Sequence, residues 1–293
     1  MANCPLLAFT LLLYLAASYV GHREYQRLVR RWPDASLTNF HRKPGWVRYV
    51  LLLLVILMGP SIYLVMHRAS LWLLPEWLEV TLAWWSNGLG AALFGILSGL
   101  AWSAFKRENL PNARALVLTV NLCQVALLFM TAWMQRPIAD QLSDAKWSGK
   151  MLLQTSGSSC APASAANIAG VLGMSYSERD MARFMGTRAA GTSPAFVVRG
   201  LRLAGITGRK FAHSAVDLSL LPLPSILIVD HAVVGPESHA VAAIKYHPET
   251  KTMEIWNPLT GMELMTHAQL KRIWRGHGIA CEKSEVVVGH LSK

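Results

Sequence analysis

One cysteine, one histidine and one asparagine in this chain carry the residue types and the framing that thiol chemistry needs. Cys160 follows the polar loop Gln154-Thr-Ser-Gly-Ser-Ser159 and opens the small-residue, helix-forming run Ala161–Leu172. A thiol there sits at the positive end of a helix, among backbone N–H groups that lack intrahelical partners. Such a site lowers a cysteine pKa and favours the thiolate, the form that attacks carbonyl carbon. A lone cysteine is more often buried and inert, so the proposal stands only if a base and an orienting group accompany it.

Ten histidines are present. His239 is predicted to begin an apolar strand directly after the turn-like Gly235-Pro-Glu-Ser238, and a strand end fixes an imidazole well. His213, His231, His247, His267 and His277 are read as loop or turn residues without that framing. Trp256-Asn257-Pro258-Leu-Thr-Gly261 ends the strand that should pair with the His239 strand across the turn His247-Pro-Glu-Thr-Lys251. That pairing brings the Asn257 amide within reach of the imidazole. Alone, His239 reads as a surface histidine and Asn257 as a turn former. With Cys160 they make a nucleophile, a base and an orienting group.

The elements that must position these residues occupy the C-terminal half. Helices are predicted over Ala161–Leu172, over Tyr176–Met185 with Ser177 as its N-cap, and over Pro194–Ala204, closing at Gly205. Strands are predicted at Ser225–Val229, His239–Ile244, Thr252–Trp256 and Glu285–Val288. Helices first and antiparallel strands after make an α+β domain over 150–293, in the order of papain-like thiol hydrolases.

The N-terminal half differs in kind. The chain is 53% hydrophobic and only 15% charged over 293 residues, and the apolar residues crowd its first half. Four transmembrane spans are expected, at 3–20, 46–66, 81–105 and 115–134, forming an all-α domain over 1–135 with a linker at 136–149. Residues 69–80 suit an interfacial segment. Gly95-Ile-Leu-Ser-Gly99 puts two glycines on one helix face, as close helix packing requires. Asn121 and Gln124 are expected to face the bundle interior. No Lys or Arg precedes the first span, whereas Arg23, Arg27, Arg30, Arg31, Arg42, Lys43 and Arg48 follow it, which marks a retained helix and not a cleaved signal. Lys106, Arg107 and Arg114 follow the third span, and Arg68 alone separates the second from the third. Basic loops stay inside, so an extracytoplasmic C-terminal domain is expected on a multi-pass protein of a bacterial inner membrane.

The net charge is +11, its densest basic cluster lies between two apolar spans, and no nucleic-acid-binding pattern accompanies it. Cys4, Cys123, Cys160 and Cys281 form no CxxC and no zinc spacing. No metal or organic cofactor is implied. A Cys160–Cys281 disulfide would silence the nucleophile.

Several motifs together resemble peptidase family C39, papain-fold cysteine peptidases that remove double-glycine leaders from exported peptides. They are Gln154 six residues before Cys160, Ser159-Cys-Ala-Pro-Ala163, Gly191-Thr-Ser193, Ser238-His-Ala-Val241, Asn257-Pro-Leu-Thr-Gly261 and Arg272-Ile-Trp-Arg-Gly276. The resemblance covers roughly residues 150–285. It implies Cys160 as nucleophile, His239 as general base and acid, Asn257 as orienting residue and Gln154 as oxyanion donor. Two positions depart from the family pattern: Ala161 stands where glycine is usual, and Asn257 where aspartate is usual. An amide can orient an imidazole but does not stabilise imidazolium by charge. The expected function is a membrane-anchored cysteine peptidase acting on a peptide or protein near the extracytoplasmic membrane surface, a Gly-Gly leader being one candidate. The alternatives are an inactive module that binds an exported peptide or a membrane partner, and a thiol amidase acting on cell-wall peptides.

Overall fold

The computed structural model describes residues 4–33, 76–107, 111–212, 217–232 and 235–284. They form two compact units, Met1–Arg136 and Pro137–Lys293.

The first unit is helical, with α1 (Cys4–Arg31), α2 (Glu76–Arg107) and α3 (Pro111–Met134). The expected glycine face is used: a Cβ on Gly95 would run into the Tyr14 backbone, and one on Gly99 into Ser18. Asn121 faces its neighbours, its Oδ1 accepting from Tyr14 OH at 3.0 Å and Ser98 Oγ at 2.6 Å. The side chain of Gln124 and the span expected at 46–66 lie outside the described residues. Among the described residues no helix is long and apolar enough to cross a membrane. The apolar stretch of α1 is one part of a longer helix that runs on through His22, Arg23 and Glu24 to Arg31. In α2, Glu76 and Glu79 stand near one end and Lys106 and Arg107 at the other.

The second unit is the α+β domain, beginning before the expected boundary. Ile138 N–H donates to Thr187 O at 3.1 Å, and Ile138, Ala139 and Leu142 pack with Ala182. The stretch 136–149 therefore belongs in part to the domain. A small ribbon follows, β1 (Lys146–Ser148) with β2 (Met151–Leu153). Next come α4 (Cys160–Val171), α5 (Glu178–Met185) and α6 (Pro194–Leu203). Ser177 caps α5 as predicted, in a full capping box with Asp180. The carboxyl of Asp180 is held below the usual range, chiefly by its hydrogen bonds from Ser177.

The sheet is antiparallel and six-stranded. It contains β3 (Ile206–Ala212), β4 (Ser225–His231), β5 (Gly235–His247), β6 (Thr252–Asn257), β7 (Gly261–Thr266) and β8 (Trp274–Lys283), in the order β3-β8-β4-β5-β6-β7. A short α7 (His267–Ile273) joins β7 to β8. Residues 225–229 of β4 are all buried, as an inner strand covered on both faces requires. Leu227, Val229, Val241, Ala243, Met253, Ile255, Leu270 and Trp274 form a core on one face. The alternate residues of β5, Ala240 and Ala242, are also buried, on the opposite face.

Two expectations differ from the structure. β5 starts at Gly235, so His239 lies inside a strand and does not begin one. His231 ends β4, His247 ends β5, His267 opens α7 and His277 lies in β8, so none is a plain loop residue. β3, β7 and β8 were not legible as strands, because β3 and β7 are edges and β8 carries two glycines among alternating polar residues. His213 and Glu285–Val288 lie outside the described residues.

Candidate active site

The loop before Cys160 is held by its own hydroxyls and by one buried acid. Ser159 is fully buried; its Oγ donates to Ser156 O at 2.8 Å and accepts from Ser156 N at 3.1 Å. Ser158 Oγ donates to Ala189 O at 2.6 Å. Glu178, which the sequence suggests only as a first-turn acid of α5, is buried, and its two oxygens accept from Thr155 N and Thr155 Oγ1 at 3.0 and 2.8 Å. Satisfied by hydrogen bonds in this way, the buried acid fixes the loop that carries Gln154.

Gln154 itself is tied at its backbone, where its N–H donates to Pro258 O at 2.8 Å. The predicted oxyanion loop and the turn after Asn257 are therefore joined directly. Its side-chain Nε2 donates one proton to Ser156 O at 2.8 Å, while Oε1 is buried with no hydrogen-bond partner among the described residues. The NH₂ group carries a second proton.

Cys160 is the first residue of α4, and its N-cap Ser159 makes no side-chain cap bond. The helix is buried from Ala161 to Ala169, and its small residues let it lie close to the sheet. Two polar contacts fix it. Asn167 Oδ1 accepts from Leu152 N at 2.7 Å and its Nδ2 donates to Leu152 O at 2.9 Å. Ser164 Oγ donates to Ala240 O at 3.0 Å. Ser164 is one helical turn beyond Cys160 and Ala240 follows His239, so this bond ties the Cys160 helix to the His239 strand. Cys160 and Cys281 are both thiols. Cys281 is buried in β8, and that burial pushes its pKa up to about 12.

His239 is 7% exposed, and its Nε2 lies 2.8 Å from Asn257 Oδ1. Asn257 is oriented by more than the imidazole: Oδ1 also accepts from Leu259 N at 3.1 Å, and Nδ2 donates to Glu263 Oε1 at 3.3 Å. The amide therefore presents oxygen to the ring, so Nε2 carries the proton and Nδ1 keeps the lone pair. Burial lowers the His239 pKa; the Asn257 bond raises it, His231 lowers it and Glu263 raises it. The His231 ring stands edge-on, 5.5 Å between centroids. Asp230, next to His231, accepts from Glu237 N at 2.9 Å and pairs with Arg275, which holds its carboxyl below the usual range.

His239, Asn257 and the Gln154 loop thus converge, and α4 is bonded to the His239 strand one turn from Cys160. Ser164, His231, Glu178 and Glu263 were not singled out by sequence as parts of the site.

Residues 148–286 match the family model described as the Peptidase C39 family. This stretch is a Peptidase C39 family domain. Among solved structures, the peptidase domain of Streptococcus ComA, a bi-functional ABC transporter involved in a quorum-sensing pathway, is 20% identical; the match covers 45% of this chain and 96% of that one, with a TM-score of 0.40. A double glycine motif protease from an AMS/PCAT transporter, solved with its leader peptide, is 14% identical over 49% of this chain and 94% of that one, TM-score 0.38. The N-terminal peptidase C39 like domain of a toxin secretion ATP-binding protein from Vibrio parahaemolyticus is 13% identical over 44% and 100%, TM-score 0.37. No curated protein matches the chain. The C39 domain is a papain-like α+β domain with an antiparallel sheet, and its family is one of cysteine peptidases.

Proposed function

We propose that the C39 domain is an active cysteine peptidase, with Cys160 as nucleophile, His239 as general base and acid, Asn257 as its orienting group and Gln154 as oxyanion donor. The observation that carries this reading is the 2.8 Å contact between His239 Nε2 and Asn257 Oδ1, made on a strand that Ser164 bonds to the Cys160 helix. Cys160 Sγ attacks the scissile carbonyl carbon as its proton passes to His239 Nδ1. The oxyanion is held by Gln154 Nε2 and the Cys160 backbone N–H. His239 then gives the proton to the leaving amine, and the thioester remains. A water molecule, losing its proton to His239, attacks the thioester, and thiol and carboxyl product separate.

A peptide with a Gly-Gly leader is the substrate class proposed, on the family resemblance. Purified full-length protein should cleave such peptides and should lose that activity in Cys160→Ala. Cleavage of peptidoglycan fragments instead would make it a cell-wall amidase. Failure to cleave either, with no labelling by a thiol-directed activity probe, would make it a binding module.

Attachment to a membrane, with the C39 domain on the extracytoplasmic face, is proposed for the helical unit. It is supported by the Lys/Arg distribution and by large apolar side chains exposed along two helices, including Phe9 and Leu12 on α1 and Leu122 and Phe129 on α3. Reporter fusions after Gln135 should be active only with a reporter that works outside the cytoplasm. Activity of a cytoplasm-only reporter there would overturn the orientation.

A further inference from the structure

We infer that Glu263 is a positioning residue of this reaction, holding the Asn257 amide in the orientation His239 needs and placing a fixed negative charge behind it. The inference rests on the peptidase reading above. Asn257 ends β6 and faces Gly261 across the turn into β7, and Glu263 lies two residues further along β7. Glu263 Oε1 accepts from Asn257 Nδ2 at 3.3 Å and from the Thr260 hydroxyl. These contacts settle which end of the amide meets the imidazole. If the amide turned over, Nδ2 would point at the Nε2 proton and Oδ1 at a carboxylate, two repulsive contacts replacing two attractive ones.

When Cys160 passes its proton to His239, the imidazolium carries +1 and Asn257 carries none. The carboxylate that a His-Asp pair would place against the ring stands here one residue further out, on Glu263. Charges acting on His239 come from two elements, Glu263 from β7 and His231 from β4. Glu263 acts to raise the His239 pKa and His231 to lower it, so the two have opposite signs.

The test is NMR titration of His239 in the full-length chain, with histidines isotopically labelled and Cys160→Ala present to remove coupling to the thiol. Glu263→Gln keeps an oxygen for Asn257 Nδ2 and removes only the charge. It should move the His239 midpoint down by about 0.5–1 pH unit, whereas His231→Asn should move it up. An unmoved midpoint in a folded Glu263→Gln protein overturns the inference. This readout needs no cleavage, so it decides the role of Glu263 even if the chain hydrolyses nothing, and cleavage by the wild type decides the peptidase reading separately.

A swap supplies the second measurement. Asn257→Asp alone puts two carboxylates in hydrogen-bond contact, where both cannot stay ionised, and it should slow peptide cleavage roughly tenfold. Asn257→Asp with Glu263→Gln lets the new glutamine donate to the new aspartate, and it should recover the wild-type rate or exceed it. Losses that simply add in the double variant overturn the inference.

Discussion

Asn257 lies between His239 and Glu263, its oxygen 2.8 Å from the imidazole Nε2 and its nitrogen 3.3 Å from the carboxylate. The amide is thus held at both ends. Asn257→Ala removes both contacts and leaves the ring free to choose its tautomer. A positioned general base contributes 10²–10⁴, and roughly 10–10² of that should disappear from kcat with little change in KM. Steady-state kinetics on a cleaved peptide read the split. A rise in KM alone would place Asn257 in substrate binding.

The thiols should differ sharply. Burial pushes the Cys281 pKa up to about 12, so almost none of it is thiolate at neutral pH. Cys160 is half-buried and opens α4, which Ser164 bonds to the His239 strand one turn further on. Iodoacetamide at pH 7 should modify Cys160 first, and mass spectrometry of peptides after a short exposure should find Cys281 unmodified in folded protein. Equal labelling of both would remove the case for an activated nucleophile.

The pH dependence of stability has a definite sign at His239. Its pKa is lowered in the folded chain, so the unfolded chain binds the proton more readily between that value and 6.5. Stability contributed by His239 is therefore complete above about pH 6.5 and declines as pH falls through the folded value. Thermal unfolding of wild type and His239→Gln between pH 5 and 7.5 isolates the effect. Wild type should lose more melting temperature on acidification than the variant. Parallel curves would mean that His239 titrates alike in both states.

Asn167 holds the helix that carries Cys160. It is buried, and its side chain bonds both backbone groups of Leu152. Asn167→Ala leaves an N–H and a C=O without those partners, each costing about 1–3 kcal/mol when buried. A loss of roughly 2–5 kcal/mol is expected in denaturant unfolding. A cost under about 0.5 kcal/mol would show that water replaces both bonds.

Local signals made the helices of the C39 domain legible. Ser177 with Asp180 three residues on wrote the start of α5, Pro194 the start of α6 and Gly205 the end of its turn. The inner hairpin of β5 and β6 was legible too, and with it the meeting of His239 and Asn257. What stayed hidden depends on neighbours far along the chain. β8 lies between β3 and β4; Phe211 fills the place a Cβ on Gly278 would take, and Gly276 has a φ of 99°. Glu263 looks like an ordinary edge-strand acid until the β6–β7 register sets it against Asn257. Glu178 looks like a helix-start acid until Thr155 folds onto it. Burial of a charged group is decided by tertiary packing, and its own segment carries no mark of that.

Gln154 offers the cleanest separation of catalysis from architecture, because its two ends do different things. Its backbone N–H holds the turn after Asn257 through Pro258 O, and a change of side chain leaves that bond in place. Its side chain reaches Ser156 O with one proton and is proposed to meet the oxyanion with the other. An oxyanion donor acts on the transition state and barely touches the resting thiol. Gln154→Ala should therefore cost roughly 10²–10³ in turnover, the usual loss for one such donor. Alkylation of Cys160 and the melting temperature should change little, since Ser159 and Glu178 still hold the loop. Both rates are measured on the same sample, peptide cleavage and iodoacetamide labelling. If they fall together, the Nε2–Ser156 bond is shaping the loop around Cys160 and Gln154 is structural. If neither falls, the oxyanion is held by other donors.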